Sequence, residues 1–225
     1  PDGRQKQREL SESFTISDAL IGFTGSLKVT GDEAARCGLF GYTTFNCVKY
    51  TENIDIRESK ESTNDAPDML YILYKYLLVF DHFSDEVTLI ELQEEGVPSS
   101  LHDVEMLINR RDFATYNFSP RGEPYSTVSD EEFMESARKG VQHCMRGDVF
   151  QIVLSRRFVQ PFAGDDFKVY RALRTINPSP YLFYFDFGGY RIFGSSPETH
   201  CKIEGTRISI DPIAGTTRRT GNYQD

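Results

Sequence analysis

The feature that most constrains the fold is a pair of aromatic and β-branched runs interrupted by glycine-containing turns. Residues 181–196 read YLFYFDFGGYRIFGSS, and residues 200–210 read HCKIEGTRISI. Short apolar runs on either side of a Gly-Gly or Glu-Gly pair are typical of antiparallel hairpins. The sequence therefore predicts one hairpin that turns at 188–189 and a second that turns at 204–205.

Two stretches in the first half of the chain also predict strands. Residues 37–50, CGLFGYTTFNCVKY, are aromatic and β-branched with small residues between, and residues 69–92 read as two strands around a turn at 82–85. Between them, residues 57–68, RESKESTNDAPD, are charged and have almost no apolar positions. We expect this segment to be a mobile surface loop.

Helices are predicted between these strands by apolar spacing and by capping residues. Residues 99–111 carry leucine, valine and isoleucine at helical spacing after two serines that could cap the helix. In a longer helix, Ser129 and Glu132 form a capping box and Gly147 ends the helix. Residues 165–176 predict a further helix, and residues 30–38 could hold a single helical turn.

The run VFQIVLSRRFVQ, residues 149–160, alternates in a way that favours a strand after the longer helix. On that strand Gln151 lies on the more polar face. Strands joined by short turns, with helices among them, predict the α+β class with mainly antiparallel sheets and flanking helices. We expect one domain over residues 1–225.

Composition excludes several functions. The 225 residues carry a net charge of −9, and the paired arginines are short and scattered, which disfavours a nucleic-acid surface. No apolar run approaches the roughly 20 residues of a membrane span, and the first ten residues are too polar for a signal peptide, so a cytoplasmic protein is expected. The four cysteines and four histidines show no metal-ligand spacing.

Four segments together resemble a known family. DVFQIVLSRRF, RALRTINPSPYLFYFDFG, FGSSPE and DPIAGT follow one another between residues 147 and 216 in the order found in the chorismate-utilising enzymes, and most closely in their anthranilate synthase large subunits. CGLFGYTTFNCVKY resembles the glycine-rich aromatic strand of these enzymes. The resemblance covers residues 34–225, whereas residues 1–33 match only vaguely and are weakly assigned.

The resemblance implies that the chain is an incomplete part of the anthranilate synthase and aminodeoxychorismate synthase fold. Family members are about twice as long, and their C-terminal half carries the glutamates that bind Mg²⁺ and a catalytic histidine. We therefore expect Mg²⁺ as a cofactor of the full-length enzyme, no metal ligands within these 225 residues, and an inactive chain when it is isolated.

Two positions indicate which nucleophile the family chemistry would use here. Aminodeoxychorismate synthases have an attacking lysine where this sequence has Ala214, and isochorismate and salicylate synthases have a lysine where it has Gln151. Ammonia needs no base to take its proton, and an amide can donate and accept hydrogen bonds. The pair therefore favours anthranilate formation from ammonia, which a glutamine amidotransferase subunit would supply. Aminodeoxychorismate synthase and a non-catalytic ligand-binding fragment are the alternatives.

The resemblance assigns further residues to the substrate site. Glu198 matches the general acid that protonates the leaving hydroxyl of chorismate, a role that requires a raised pKa and hence partial burial. The strand YRIFG before it makes such burial an expectation. Gly215 and Thr216, next to Ala214, would lie against the substrate, glycine for close backbone approach and threonine as a hydroxyl donor.

A proline-rich loop carries the last assignment. NPSPYL resembles the family's NPSPYM segment, which binds the feedback inhibitor tryptophan, and two prolines lower the entropic cost of ordering such a loop around a ligand. The family's second wall of that pocket, an LLES-type segment, is not in this sequence. The expected inhibitor-binding residues are Asn177, Pro178, Ser179, Pro180, Tyr181 and Leu182.

Overall fold

The structure is a computed structural model that describes residues 5–56, 66–110, 114 and 116–213. The chain divides into two compact units, Pro1–Asp112 and Phe113–Asp225. The expected assignment of residues 1–225 to one incomplete domain stays a prediction. Most of the expected mobile loop at 57–68 lies outside the described residues.

The first unit contains antiparallel strand pairs and two helices. Strands β1 and β2 pair from Leu39 opposite Leu73, and β3 and β4 form the predicted hairpin with its turn at 82–85. The elements are α1 (Ile16–Gly25), β1 (Leu39–Thr43), β2 (Met69–Leu73), β3 (Tyr76–Asp81), β4 (Glu86–Glu91) and α2 (Leu101–Asn109), with 3₁₀ turns at Ala34–Arg36 and Phe45–Tyr50.

Two details of this unit differ from the prediction. The run that starts at Met69 forms two strands instead of one, because β2 pairs with β1 and the chain then breaks before β3 pairs with β4. The predicted strand at 37–50 ends at Thr43. Beyond it, the Thr44 amide N–H and the Cys47 thiol both donate to the Asp68 carbonyl oxygen, at 2.8 and 3.1 Å, which turns the chain into a 3₁₀ helix around a buried Cys47.

In the part of the second unit that the structure describes, there are two helices and four short antiparallel pairs. Its pairs are β5 with β8, β6 with β7, β9 with β10 and β11 with β12. The elements are β5 (Ser119–Pro120), β6 (Tyr125–Ser126), α3 (Asp130–Arg146), β7 (Phe158–Val159), β8 (Phe162–Ala163), α4 (Phe167–Ile176), β9 (Tyr181–Asp186), β10 (Arg191–Ser196), β11 (Lys202–Glu204) and β12 (Arg207–Ser209). The predicted α+β class is confirmed.

Local signals in the sequence account for most of these elements. The Ser129 hydroxyl accepts from the Glu132 amide and the Glu132 carboxylate accepts from the Ser129 amide, so the predicted capping box is confirmed. Gly147 ends α3 in the left-handed region, at φ 80°, which a glycine adopts without strain. The first hairpin turns around Gly188 as predicted. The second pairs Glu204 with Arg207, so its turn lies one residue later than expected.

The predicted strand at 149–160 is wrong for most of its length. Only Phe158–Val159 is a strand, and among the described residues no backbone–backbone hydrogen bond reaches residues 149–156. Alternating apolar and polar side chains favour an extended segment. Such a segment is a strand only where a neighbouring strand forms hydrogen bonds with its backbone. Gln151 therefore lies in an irregular, exposed segment and not on a strand face.

No helix in the described part of the chain is both long and apolar enough to cross a membrane.

Candidate active site

The β9–β10 hairpin brings the FGSSPE motif to one end of a short two-stranded sheet. Gly194 lies opposite Phe183 in the register, and a Cβ at position 194 would come 2.6 Å from Phe183 Cζ. The ring therefore occupies the space where a side chain would stand, which explains a glycine in the middle of a strand. Strand β10 ends at Ser196, and Pro197 and Glu198 follow in the turn beyond it.

Glu198 contacts the second predicted substrate motif directly. The Ile213 amide N–H donates to Glu198 Oε1 at 3.0 Å, and Ile213 is the third residue of DPIAGT. The structure thus joins two motifs that are 15 residues apart in the sequence. Ala214, Gly215 and Thr216 lie outside the described residues, so their predicted contacts with substrate stay predictions.

The burial expected around Glu198 is not found. The chain leaves the sheet at Pro197, so Glu198 stands past the half-buried residues of β10 and is exposed. An apolar strand before a residue does not bury it when a turn intervenes. The expectation of burial is therefore wrong within the described residues, while the assignment of Glu198 as general acid stays a prediction.

Ile152 and Leu154, close to Gln151 in the sequence, line a small apolar groove of the second unit. Phe150 is fully exposed, and Gly140 of α3 is buried beneath Ile152, whose Cγ2 lies 3.4 Å from the position of a Cβ. A cavity of about 360 Å³ is lined by Ala137, Gly140, Val141, Cys144, Met145, Ile152 and Leu154. No hydrogen bond in the described residues joins Gln151 to Glu198, and the catalytic roles assigned to these two residues stay predictions.

The proline-rich loop connects α4 to β9 and is tied to strand β10. The Ser195 hydroxyl donates to the carbonyl oxygen of Asn177 at 2.6 Å. Beyond the loop, the Tyr181 hydroxyl forms a hydrogen bond with the Thr199 hydroxyl. Sequence reasoning missed Ser195 and Thr199, although an antiparallel hairpin of this register places the residues around Glu198 beside the loop. Inhibitor binding at Asn177–Leu182 stays a prediction.

The hairpin also carries a structural polar cluster against α4. The Tyr184 hydroxyl donates to Asp166 Oδ1 at 2.9 Å, and Arg191 pairs with Asp166 at 3.5 Å and with Asp186 at 3.1 Å. Burial, together with the hydrogen bond to Asp166, raises the pKa of Tyr184 to about 12. A tyrosine with this pKa stays protonated at neutral pH, and it fixes the start of α4 on the hairpin.

A second glutamate, Glu91 at the end of β4, has a different environment in the first unit. Its side chain is 3% exposed. It accepts hydrogen bonds from the Ser99 hydroxyl at 2.7 Å and from the Ser100 hydroxyl and amide at 2.8 and 3.1 Å, and Lys75 Nζ lies 3.2 Å away. The hydrogen bond from the Ser99 hydroxyl lowers the pKa of Glu91 most. Burial acts in the opposite sense, but the donors of Ser100 and Lys75 lower the pKa further, and its value is about 2.

The Glu91 cluster explains how α2 begins. Ser100 stands at the N-cap position, as predicted for one of the two serines, but its hydroxyl caps no helical amide. The hydroxyl instead bonds Glu91, and it also contacts the hydroxyl of Tyr76 and the Lys75 ammonium group, so the helix start is tied to the hairpin β3–β4.

A magnesium site is not formed by the described residues. Within 5–56, 66–110 and 116–213, no three histidine, cysteine, aspartate or glutamate side chains lie close enough together to hold a metal ion. These residues alone do not fit Mg²⁺, and the expected cofactor stays a prediction.

Comparisons with known proteins agree with the resemblance. Residues 4–225 match the family described as chorismate binding enzyme. Anthranilate synthase component 1 of Spirochaeta aurantia is 31% identical over 230 residues, which cover 97% of this chain and 47% of that protein. Anthranilate synthase alpha subunit 1, chloroplastic, of Arabidopsis thaliana is 34% identical over 208 residues, covering 82% of this chain and 35% of that protein.

A solved structure supports the same relationship. The crystal structure of anthranilate synthase component I from Streptococcus pneumoniae TIGR4 aligns with a TM-score of 0.60 and 27% identity, over 76% of this chain and 41% of that chain. The chain therefore spans about half the length, or less, of the relatives that it matches.

Proposed function

The chain belongs to the chorismate binding enzyme family, and from this premise we propose that the protein containing it converts chorismate and ammonia into anthranilate, pyruvate and water. The names of the matched relatives support this reaction. So does the pair Gln151 and Ala214, because neither position offers a lysine as nucleophile or base. The reaction is the first committed step of tryptophan biosynthesis.

The observation that carries the proposal is the 3.0 Å hydrogen bond from the Ile213 amide to Glu198 Oε1. This contact holds the proposed acid beside the segment that continues into Ala214, Gly215 and Thr216. In the proposed reaction, ammonia forms a bond to a ring carbon of chorismate while Glu198 gives its proton to the departing hydroxyl. Gln151 would bind the incoming ammonia by its amide, and the enolpyruvyl group would later leave as pyruvate.

Three further features belong to the proposal. A glutamine amidotransferase subunit would supply the ammonia, tryptophan would inhibit by binding Asn177–Leu182, and the protein would work in the cytoplasm. Bound Mg²⁺ would supply positive charge at the substrate carboxylate. The described residues do not form a site for this ion.

The test is an assay of the protein that contains this sequence. It is incubated with chorismate, ammonium and MgCl₂, and the products are separated and identified. Fluorescent anthranilate together with pyruvate is the expected result. Aminodeoxychorismate as the product would assign the alternative enzyme, and tryptophan binding without turnover of chorismate would assign a ligand-binding protein.

A further inference from the structure

Four of the hydrogen bonds around the FGSSPE motif lie on both sides of Glu198 in the sequence. Before it, Ser195 donates to the Asn177 carbonyl oxygen at 2.6 Å, and the Ser196 hydroxyl accepts from the Glu198 amide at 3.4 Å. After it, Thr199 bonds the Tyr181 hydroxyl. The fourth bond is the one from Ile213 to the carboxylate itself. The backbone at Glu198 is therefore fixed by polar contacts with its own hairpin and the loop before it.

These contacts matter because packing does not hold this turn. Pro197 and Glu198 are both exposed, so neither residue is held in an apolar core. The register of the hairpin pairs Tyr181 with Ser196, which places the Tyr181 ring beside the strand end from which the turn departs. A bond from this ring to Thr199 closes the turn on its far side, one residue after Glu198.

We propose that Thr199 and Tyr181 are positioning residues for Glu198, acting through the hydrogen bond between their hydroxyl groups. This inference rests on the proposed function, in which Glu198 is the acid. A general acid must lie within hydrogen-bond reach of the departing hydroxyl, and a displacement of about 1 Å can cost up to about 100-fold in rate. Thr199 touches neither the substrate nor the reacting atoms in this assignment. Its effect on the rate passes through the position of the Glu198 carboxyl group.

The test uses Thr199→Val, which keeps the shape of the side chain and removes the hydroxyl. In the protein that contains this sequence, we expect kcat for anthranilate formation to fall about tenfold while KM for chorismate stays within about threefold. Tyr181→Phe removes the other partner of the same bond and should give the same loss. The double variant should be no slower than either single variant. Thr206→Val, in the exposed turn of the second hairpin, is the matched control and should leave kcat unchanged.

A second double-mutant cycle distinguishes a positioning role of Thr199 from a merely structural one. Thr199→Val is combined with Glu198→Gln, and the effect of the valine is measured in both backgrounds. If Thr199 acts through Glu198, the valine has no further effect once the acid is removed. A structural defect would instead lower the active fraction by the same factor in both backgrounds.

The outcomes distinguish this inference from the function on which it rests. Equal effects of Thr199→Val in the two backgrounds, or a change in kcat of less than twofold, would overturn the positioning role and leave the proposed function intact. Full activity of Glu198→Gln would show that Glu198 is not the acid, and the positioning role of Thr199 would fail with it. Absence of anthranilate with the unaltered protein would overturn the proposed function itself.

Discussion

Glu91 and Glu198 are both placed by a β-hairpin, one as the last residue of β4 and the other two residues beyond β10, yet their surroundings are opposite. Glu91 is almost completely buried and is held by two serines and a lysine. Glu198 is exposed, and the one hydrogen bond described for its carboxylate comes from the Ile213 amide. The two sites differ in the number of hydrogen-bond donors around the carboxylate more than in the position of the glutamate in its hairpin.

This difference separates a carboxylate that is held in a buried network from one that is open to solvent. A carboxylate with several donors and a cation keeps its charge across the physiological range and serves as an anchor. One that is exposed and accepts a single amide hydrogen bond is accessible to a substrate and is not committed to such a network. The following substitutions test whether the two glutamates divide their roles in this way.

The largest effect is expected from Glu198→Gln. The amide is nearly isosteric but cannot donate the acid proton, so kcat should fall by about 10² to 10⁴-fold with little change in KM. Steady-state assays of anthranilate fluorescence measure both constants. Glu91→Gln is the matched control and should leave kcat of the folded protein unchanged. A loss of only a few-fold for Glu198→Gln would show that another group is the acid.

Gln151→Ala should have a smaller effect on the same reaction. Ammonia attacks without a base, so the amide contributes binding and orientation, and we expect kcat/KM for ammonium to fall by about tenfold or less. The measurement is a titration of ammonium at saturating chorismate. If the alanine variant were as slow as Glu198→Gln, the reaction would depend equally on both positions. The rate loss in Glu198→Gln would then not identify Glu198 as the acid.

For Glu91→Gln the expected effect is on stability and its dependence on pH. The folded pKa of about 2 lies below the ordinary value of 4.5, so the ionised carboxylate stabilises the fold fully above pH 4.5, and this contribution is lost as the pH falls toward 2. The variant should melt at a lower temperature at pH 7 and should lose less stability than the unaltered chain between pH 4.5 and 2. Thermal unfolding followed by circular dichroism measures both.

A second variant on β4 provides the control for this pH dependence. Glu86 is exposed and accepts one hydrogen bond, from Ser84 at 3.3 Å, so Glu86→Gln should leave the melting temperature and its acid dependence almost unchanged. The interpretation of Glu91 as the anchor fails if the two glutamines have the same effect.

The smallest effect is expected from Ser99→Ala. This change removes one donor at 2.7 Å, but Ser100 and Lys75 still satisfy the Glu91 carboxylate. The melting temperature should therefore fall less than in Glu91→Gln, and the acid dependence should be weakened but not abolished, because the Ser99 hydroxyl is the largest cause of the lowered pKa of Glu91. An effect as large as that of Glu91→Gln would mean that the network depends on Ser99 alone.

Elements whose signals lie within a few residues could be predicted from the sequence. The capping box at Ser129 and the stop at Gly147 define α3 because both caps are made by residues close to the ends of the helix. The two hairpins of the second unit were predicted for the same reason, although the turn at 205–206 lies one residue past the expected pair. Turn residues identify a hairpin, but the pairing of distant side chains determines its register.

Features that depend on distant partners could not be predicted. Alternation at 149–160 indicates a strand, but among the described residues no backbone–backbone hydrogen bond reaches residues 149–156. The Glu91 cluster brings together residues from β3, β4 and the start of α2, and no short sequence motif predicts it. At the candidate site, the contact between Glu198 and the DPIAGT segment agrees with the motif order, whereas the exposure of Glu198 follows from a turn that composition does not reveal.

The hydrogen bonds around Glu198 also have a kinetic consequence. Ser195 and Asn177 are 18 residues apart in the chain, as are Tyr181 and Thr199, so both bonds close loops that contain little more than the β9–β10 hairpin. Hairpins form on the order of 1 to 10 μs. After a local opening, the turn at Glu198 can therefore recover its geometry within microseconds, without waiting for segments that are distant in the sequence. A typical enzyme turnover takes a millisecond or longer, so the turn can open and close many times within one turnover.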